Sequence, residues 1–419
     1  MTDSAQDESL DPLIPITSPR DGLPTLVESD RALESCAHSL RNGGGPVAID
    51  AERASGFRYG QRAYLIQLRR PGSGTHLIDP TCFSDLSVLQ DALKDVDWIL
   101  HAASQDLVCL AEVGLFPTAL LFDTELAGRL LGLPKVGLGT LVETELGFQL
   151  AKEHSAADWS QRPLPNDWLN YAALDVEFLH ELWEILETKL KVSGKFDYAL
   201  EEFAHVRDNT TAVVRSEPWR RTSGLHGARK PRQLAIVRSL WELRDSMAQK
   251  RDIAPGRILP DSAIISIAHE VLESTGPLED LAVFNTRLTA RNRSKWISAT
   301  QTALALPDED LPATKVLSSG PPAPRMWQER NPQAFARLEQ VRSELSAISE
   351  KFAIPIENLM TPDTVRRLLW NPVSDESALQ EALIDFGARN WQRELVGPVL
   401  ARALFEPLIS TELSDLAEH

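Results

Sequence analysis

The residues best able to do chemistry in this chain are acids. Asp50 and Glu52 close the run Val47–Ala48–Ile49–Asp50–Ala51–Glu52, two positions apart. Side chains alternate along a strand, so an apolar lead-in of this kind puts both carboxylates on one face. Two carboxylates held together repel unless a cation sits between them, and a divalent ion suits such donors. A lone Asp-x-Glu is more often the polar end of a strand, so the other acids decide. Asp106 stands where a strand ending at His101 turns into a helix, a place the helix dipole favours for an acid. Asp123 ends the next strand and reads as the N-cap of a helix starting at Thr124. Tyr171 and Asp175 are four residues apart in a helix and share a face. Asp50, Glu52, Asp106 and Asp175 together are the inventory that holds two divalent ions about 3.5–4 Å apart for in-line phosphoryl displacement. Tyr171, one turn from the last acid, could orient or deprotonate the attacking water.

Basic residues lie near these acids. Arg53, Arg58 and Arg62 follow Glu52 and could grip phosphates, or line a solvated loop. Arg162, beside Trp159, could meet a terminal nucleotide or form a structural ion pair. Residues 215–232 hold Arg215, Arg220, Arg221, Arg229, Lys230 and Arg232 against one acid, Glu217, a density that suits a nucleic-acid backbone.

The elements that must position the acids follow from periodicity. Residues 1–22 are rich in Asp, Ser and Pro, without periodicity, and read as a mobile tail. Residues 24–41 give a short strand and a helix, with Leu33, Cys36, Ala37 and Leu40 at helical spacing. Strands at 47–52, 63–68 and 75–79 with short connections predict an antiparallel meander. Helices near 86–94, 105–113 and 124–131 then alternate with strands at 98–101 and 119–122, which predicts a parallel continuation and a mixed sheet. From 211 onward no convincing strand is found. A helix at 232–250 and another at 333–350 each lead through a Pro-containing loop to a Pro–Asp helix start, a repeat near 100 residues long that predicts tandem domains. The expected division is a tail at 1–22, a catalytic domain at 23–210, helical domains at 211–306 and 325–412 joined by a Pro-rich linker at 307–324, and a tail at 413–419.

The ordered motifs Ile49–Asp50–Ala51–Glu52, His101–Ala102–Ala103–Ser104–Gln105–Asp106–Leu107 and Tyr171–Ala172–Ala173–Leu174–Asp175, with Asp158–Trp159–Ser160–Gln161–Arg162–Pro163–Leu164, resemble the ribonuclease D family. That family is the tyrosine subtype of the DEDD exonucleases, of ribonuclease-H-like fold, and the two C-terminal repeats resemble HRDC domains. The resemblance covers about residues 24–410. It implies that Asp50, Glu52 and Asp175 hold a water-activating metal, that Asp50 bridges to a second with Asp106 near it, and that Tyr171 positions the water. It further implies two divalent cations, Mg²⁺ or Mn²⁺, and stepwise hydrolysis of RNA 3′ ends to 5′-mononucleotides, with tRNA precursors as candidate substrates. The rival readings are a DNA exonuclease of the same superfamily and a non-catalytic RNA-binding protein.

Composition bounds these expectations. The 419 residues carry a net charge of −17, which argues against a basic nucleic-acid coat protein but not against an acidic metal site. Three scattered cysteines, no apolar run of about 18 residues and an acidic start suit a cytoplasmic protein without a membrane span. No Gly-x-x-x-x-Gly-Lys occurs, so no nucleotide cofactor is expected. A monomer is the default assembly.

Overall fold

The computed structural model describes residues 12–151, 157–211, 215–314 and 320–407. Its first half runs β1 (Ile14–Ile16), β2 (Leu26–Val27), α1 (Asp30–Asn42), β3 (Val47–Arg53), β4 (Ala63–Arg70), β5 (Gly74–Ile78), α2 (Ser87–Ala92), β6 (Trp98–Leu100), α3 (Leu107–Glu112), β7 (Leu121–Asp123), α4 (Thr124–Leu130), α5 (Leu138–Leu146), β8 (Phe148–Leu150), α6 (Asn166–Asp175), α7 (Leu179–Val192) and α8 (Phe196–Asn209). Six strands form one sheet in the order β2-β5-β4-β3-β6-β7. β3 runs antiparallel to β4 and parallel to β6, so it is where the meander meets the parallel part. Sheet neighbours on both edges and layers on both faces explain its uninterrupted apolar run: Val47, Ala48 and Ile49 are wholly buried. α1 starts at Ser29, whose side chain accepts from the Ala32 N–H, and buries Leu33, Cys36, Ala37 and Leu40. The α/β class with a mixed sheet is as the pattern predicts.

The amino terminus departs from expectation. β1 pairs in parallel with β8 as a separate two-stranded sheet. Beyond it, the Asn170 side chain donates to the Thr17 carbonyl, and Arg20 reaches Glu177 and Glu181, both at 2.6 Å. Residues 12–22 are therefore a strap across α6 and the start of α7, not part of a mobile tail. Three-residue strands carry no periodicity to detect, and the partner strand lies over 130 residues away. The remaining tail residues 1–11 and 413–419 lie outside the described residues.

The second half holds helices only, apart from short 3₁₀ turns, among the described residues: α9 (Pro231–Arg251), α10 (Pro255–Ile258), α11 (Asp261–Glu273), α12 (Arg293–Leu304), α13 (Trp327–Arg330), α14 (Pro332–Phe352), α15 (Ile356–Leu359), α16 (Pro362–Trp370), α17 (Glu376–Asp385) and α18 (Asn390–Phe405). The internal repeat shows in the backbone. α9 and α14 each end in a left-handed residue, Asp252 at φ 48° and Ala353 at φ 47°, followed by a short helix led by proline. The first helical unit owns its core, built on Leu240, Ile264, Phe284 and Trp296. The second does not. Leu338, Leu345, Leu369 and Trp391 join Leu130, Leu186 and Phe203 in one continuous cluster, so this unit completes the core of the first half. Among the described residues no helix is long and apolar enough to cross a membrane.

Candidate active site

β3 delivers Asp50 and Glu52 to one face of the sheet, as period-two geometry requires. Asp175 arrives at the C-terminal end of α6, and carboxylate oxygens of Asp50, Glu52 and Asp175 all lie within 4.8 Å of one another. Asp106 immediately precedes α3 and shares a hydrogen bond with the Asp50 carboxyl. Its placement depends on a tight corner after β6, where Ala102 takes the left-handed φ of 57°. Asp123 holds that corner: its carboxylate accepts from the Ala102 and Ala103 N–H groups at 3.1 and 2.8 Å. It also caps α4 by accepting from Glu125 and Leu126. One buried acid thus sets both the motif that carries Asp106 and the helix after β7, so the expected cap is observed with a second duty.

These carboxyls pay for their closeness in proton affinity. Burial first, and then repulsion from Asp50, pushes Asp106 up to about 8. Burial also raises Asp50, and it raises Glu52 and Asp175 well above the carboxylate range, with neighbouring acids adding to the latter two. Arg53 is the near cation, its guanidinium 3.7 Å from Asp106. The Tyr171 hydroxyl donates to Asp175, and burial together with that carboxylate raises the phenol above its ordinary value. His101 bonds Thr124 Oγ1 at 2.9 Å, and burial lowers it to about 4, so its ring is neutral at physiological pH. A cavity of about 250 Å³ is lined by Asp50, Glu52, Arg53, His101, Gln105, Asp106, Tyr171 and Asp175, with Leu138 and Leu179. Arg53 also borders two adjoining cavities, of about 350 and 540 Å³. Gln105 and Leu138 were not singled out from sequence; only Gln105's place beside Asp106 offered a signal.

Three family models match in succession: a 3′-5′ exonuclease over residues 24–191, an HRDC domain over 233–299, and a 3′ to 5′ exonuclease C-terminal domain over 320–404. Ribonuclease D of Escherichia coli K12 is 28% identical over 388 residues, 91% of this chain and 98% of that one. This chain belongs to the ribonuclease D family. Ribonuclease D of Nitrobacter hamburgensis is 29% identical, covering 84% of this chain and 87% of its own. A crystal structure of a protein from Bifidobacterium adolescentis superposes with a TM-score of 0.86 at 37% identity, over 94% of this chain and 99% of that one. The crystal structure of Escherichia coli RNase D, described as an exoribonuclease involved in structured RNA processing, gives 0.66 at 26% identity, over 91% and 98%. As a ribonuclease D the chain is a 3′-5′ exoribonuclease, a phosphodiester hydrolase.

Several of the basic and aromatic candidates have protein partners of their own. Trp159 is wholly buried and packs edge-on against Trp168 of α6, so it cannot stack on a nucleotide. Arg162 is a two-pronged partner of Asp79 and also donates to the carbonyls of Tyr64, Trp159 and Gln161. Arg58 donates to Ser160 at 2.8 Å and faces Asp252 of the first helical unit at 3.6 Å. Arg220 pairs with Glu217, donates to the Ala313 carbonyl and lies over the Trp219 ring. Arg162 has every guanidinium nitrogen bonded to a protein group, whereas Arg58 and Arg220 are each tied by part of theirs. Arg62 is exposed above the Tyr64 ring. Arg221, Arg229 and Lys230 are also exposed.

Proposed function

We propose that this ribonuclease D shortens RNA stepwise from its 3′ end with two divalent ions, Mg²⁺ or Mn²⁺, and releases 5′-mononucleotides. The observation that carries the reading is the cluster of Asp50, Glu52 and Asp175 carboxylates within 4.8 Å, with Asp106 hydrogen-bonded to Asp50. Every donor in it is a hard oxygen, and such a cluster suits Mg²⁺ or Mn²⁺. The raised proton affinities supply a test of fit. Arg53 alone does not offset four acids, and the cluster keeps protons that added positive charge would displace.

Asp50, Glu52, Asp106 and Asp175 would hold the ions. When bound, these would activate water and stabilise the leaving 3′ oxygen. Tyr171, hydrogen-bonded to Asp175, is the residue placed to position the attacking water. Its hydrogen bond to Asp175 keeps the phenol aimed along one face of α6. Arg53 can transfer from Asp106 to the scissile phosphate as the acids take up ions. Neutral His101 offers the cavity no charge and fixes the wall beside Asp106 through Thr124. Arg62, Arg221, Arg229 and Lys230 are the exposed cations left to follow the RNA backbone. Structured RNA ends, tRNA precursors among them, are the substrate class this reading favours. Three free thiols, Cys36, Cys82 and Cys109, suit a cytoplasmic setting.

The test uses purified protein, Mg²⁺ or Mn²⁺, and 5′-labelled RNA and DNA of one sequence. Stepwise shortening of the RNA, stopped by EDTA, is expected. Asp50→Ala should cost on the order of 10³-fold in rate, because charge stabilisation by bound metal is worth several kcal/mol and each tenfold is about 1.4. Shortening of DNA but not RNA would overturn the substrate class, and no shortening of either would overturn the reading.

A further inference from the structure

Loop 54–62 leaves β3 directly after the bulge at Glu52/Arg53 and is gripped from outside by the first helical unit. The Tyr59 hydroxyl donates to Asp245 of α9 at 3.0 Å, and the Tyr59 N–H donates to Asp252 at 3.3 Å. The Ala254 N–H donates to the Phe57 carbonyl at 2.9 Å. Arg257 donates to the Gly56 carbonyl at 2.7 Å and lays its guanidinium 4.0 Å above the Phe57 ring. Arg58 ties the same loop inward, through Ser160 and Asp158, to the segment that leads into α6. The loop's own closure is slight: Ala54 accepts from Phe57 and Arg58, and Ser55 bonds Gln61.

We propose that the first helical unit is a positioning element for catalysis: Asp245, Asp252 and Arg257 latch Phe57 and Tyr59 and so set the end of β3 that carries Glu52 and Arg53. Asp245 and Asp252 are positioning residues, acting through the loop without touching substrate. The inference rests on the exonuclease reading. It extends it by giving the helical unit a role in turnover that is separate from holding RNA. Displacement of a reacting group by about 1 Å can cost up to about a hundredfold, so a loosened latch is felt at the metal ligands. A unit that only held distant RNA would alter long substrates and leave short ones alone.

The test compares native protein with Asp245→Ala/Asp252→Gly. The alanine suits a helix, and glycine keeps the left-handed backbone at 252 while removing both side-chain contacts. The substrate is a labelled RNA trinucleotide, chosen as too short to extend far beyond the cleavage cavity. We expect kcat to fall about tenfold with KM within about twofold, and Mn²⁺ affinity, read by titration calorimetry, to weaken several-fold. Tyr59→Phe, which leaves the helical unit untouched, should move both readouts the same way by a smaller factor. Native kcat and native Mn²⁺ affinity in the double variant would overturn the latch, as would a change confined to KM on long RNA. If native protein shortens neither the trinucleotide nor a long RNA, the exonuclease reading fails, and the Mn²⁺ titration still decides the latch by itself.

Discussion

The two helical units meet the catalytic half with the same corner and opposite chemistry. In each, a long helix ends in a left-handed residue that touches the first half. At Asp252 the corner offers a carboxylate to Arg58 and to the Tyr59 N–H. At Ala353 it offers only backbone: the carbonyl accepts from Lys195 at 3.3 Å and lies so close to Gly132 that a Cβ there would stand 2.4 Å away. Around the second corner the contact is largely apolar and deeply buried. Trp391 stacks on Tyr198 at 5.0 Å and donates to Glu202, which also takes both prongs of Arg389. A shared apolar core is insensitive to small displacements until it fails as a whole, whereas a set of half-exposed hydrogen bonds can be loosened by degrees. The repeat thus supplies one unit that stabilises the catalytic half and one that can adjust it.

This contrast can be broken most forcefully at Trp391. Trp391→Ala should cost about 3–5 kcal/mol and lower the melting temperature of the catalytic half and the last helices together, in one transition. Separate transitions would show that the shared core does not couple them. Gly132→Ala attacks the corner itself. Its φ is 75° and the added carbon collides with the Ala353 carbonyl, so a loss of about 2–3 kcal/mol is expected, read by chemical denaturation. A native-like midpoint would mean that the corner yields.

The smallest effect concerns charge in the acid cluster. Asp106 is raised from its ordinary 3.8 to about 8. Between those values the metal-free fold keeps a proton that the unfolded chain has lost, so stability falls as pH rises through that window. Divalent ions displace the proton. Their stabilising effect should therefore be larger at pH 8 than at pH 6. Asp50→Asn removes one of the repelling charges. The metal-free variant should melt above native protein at pH 8, by on the order of 1 kcal/mol, and lose most of the metal-induced gain. An equal metal increment at both pH values would refute this account.

What was legible in the sequence depended on how locally each role is decided. Asp50 and Glu52 could be read because a buried strand announces itself by its apolar run and its period of two. Tyr171 and Asp175 could be read because helical spacing alone puts them on one face. Asp123's capping was visible in Asp–Thr after a strand, but its hold on Ala102 and Ala103 was not, since that bond crosses to another strand. Which of the two readings of Arg162 holds, terminal nucleotide or ion pair, was hidden for the same reason. An arginine is free or committed according to a partner, and Asp79 lies 83 residues away. Arg58 looked like a phosphate contact because the loop's outer partner, Asp252, lies far along the chain. β1 and β8 are too short to leave any periodic trace.

The strap at residues 12–22 bears on how a fragment of this enzyme would behave. Likeness to the exonuclease family begins at residue 24, and a fragment begun there would look complete by its motifs. It would lack the Thr17 carbonyl that receives Asn170 and the Arg20 that ties Glu177 and Glu181. Those three acceptor and donor groups flank Tyr171 and Asp175 along the chain. Such a fragment would keep all four carboxylates and a poorly seated helix, and its sluggishness would be blamed on the missing helical units when the fault lay at its own first residue.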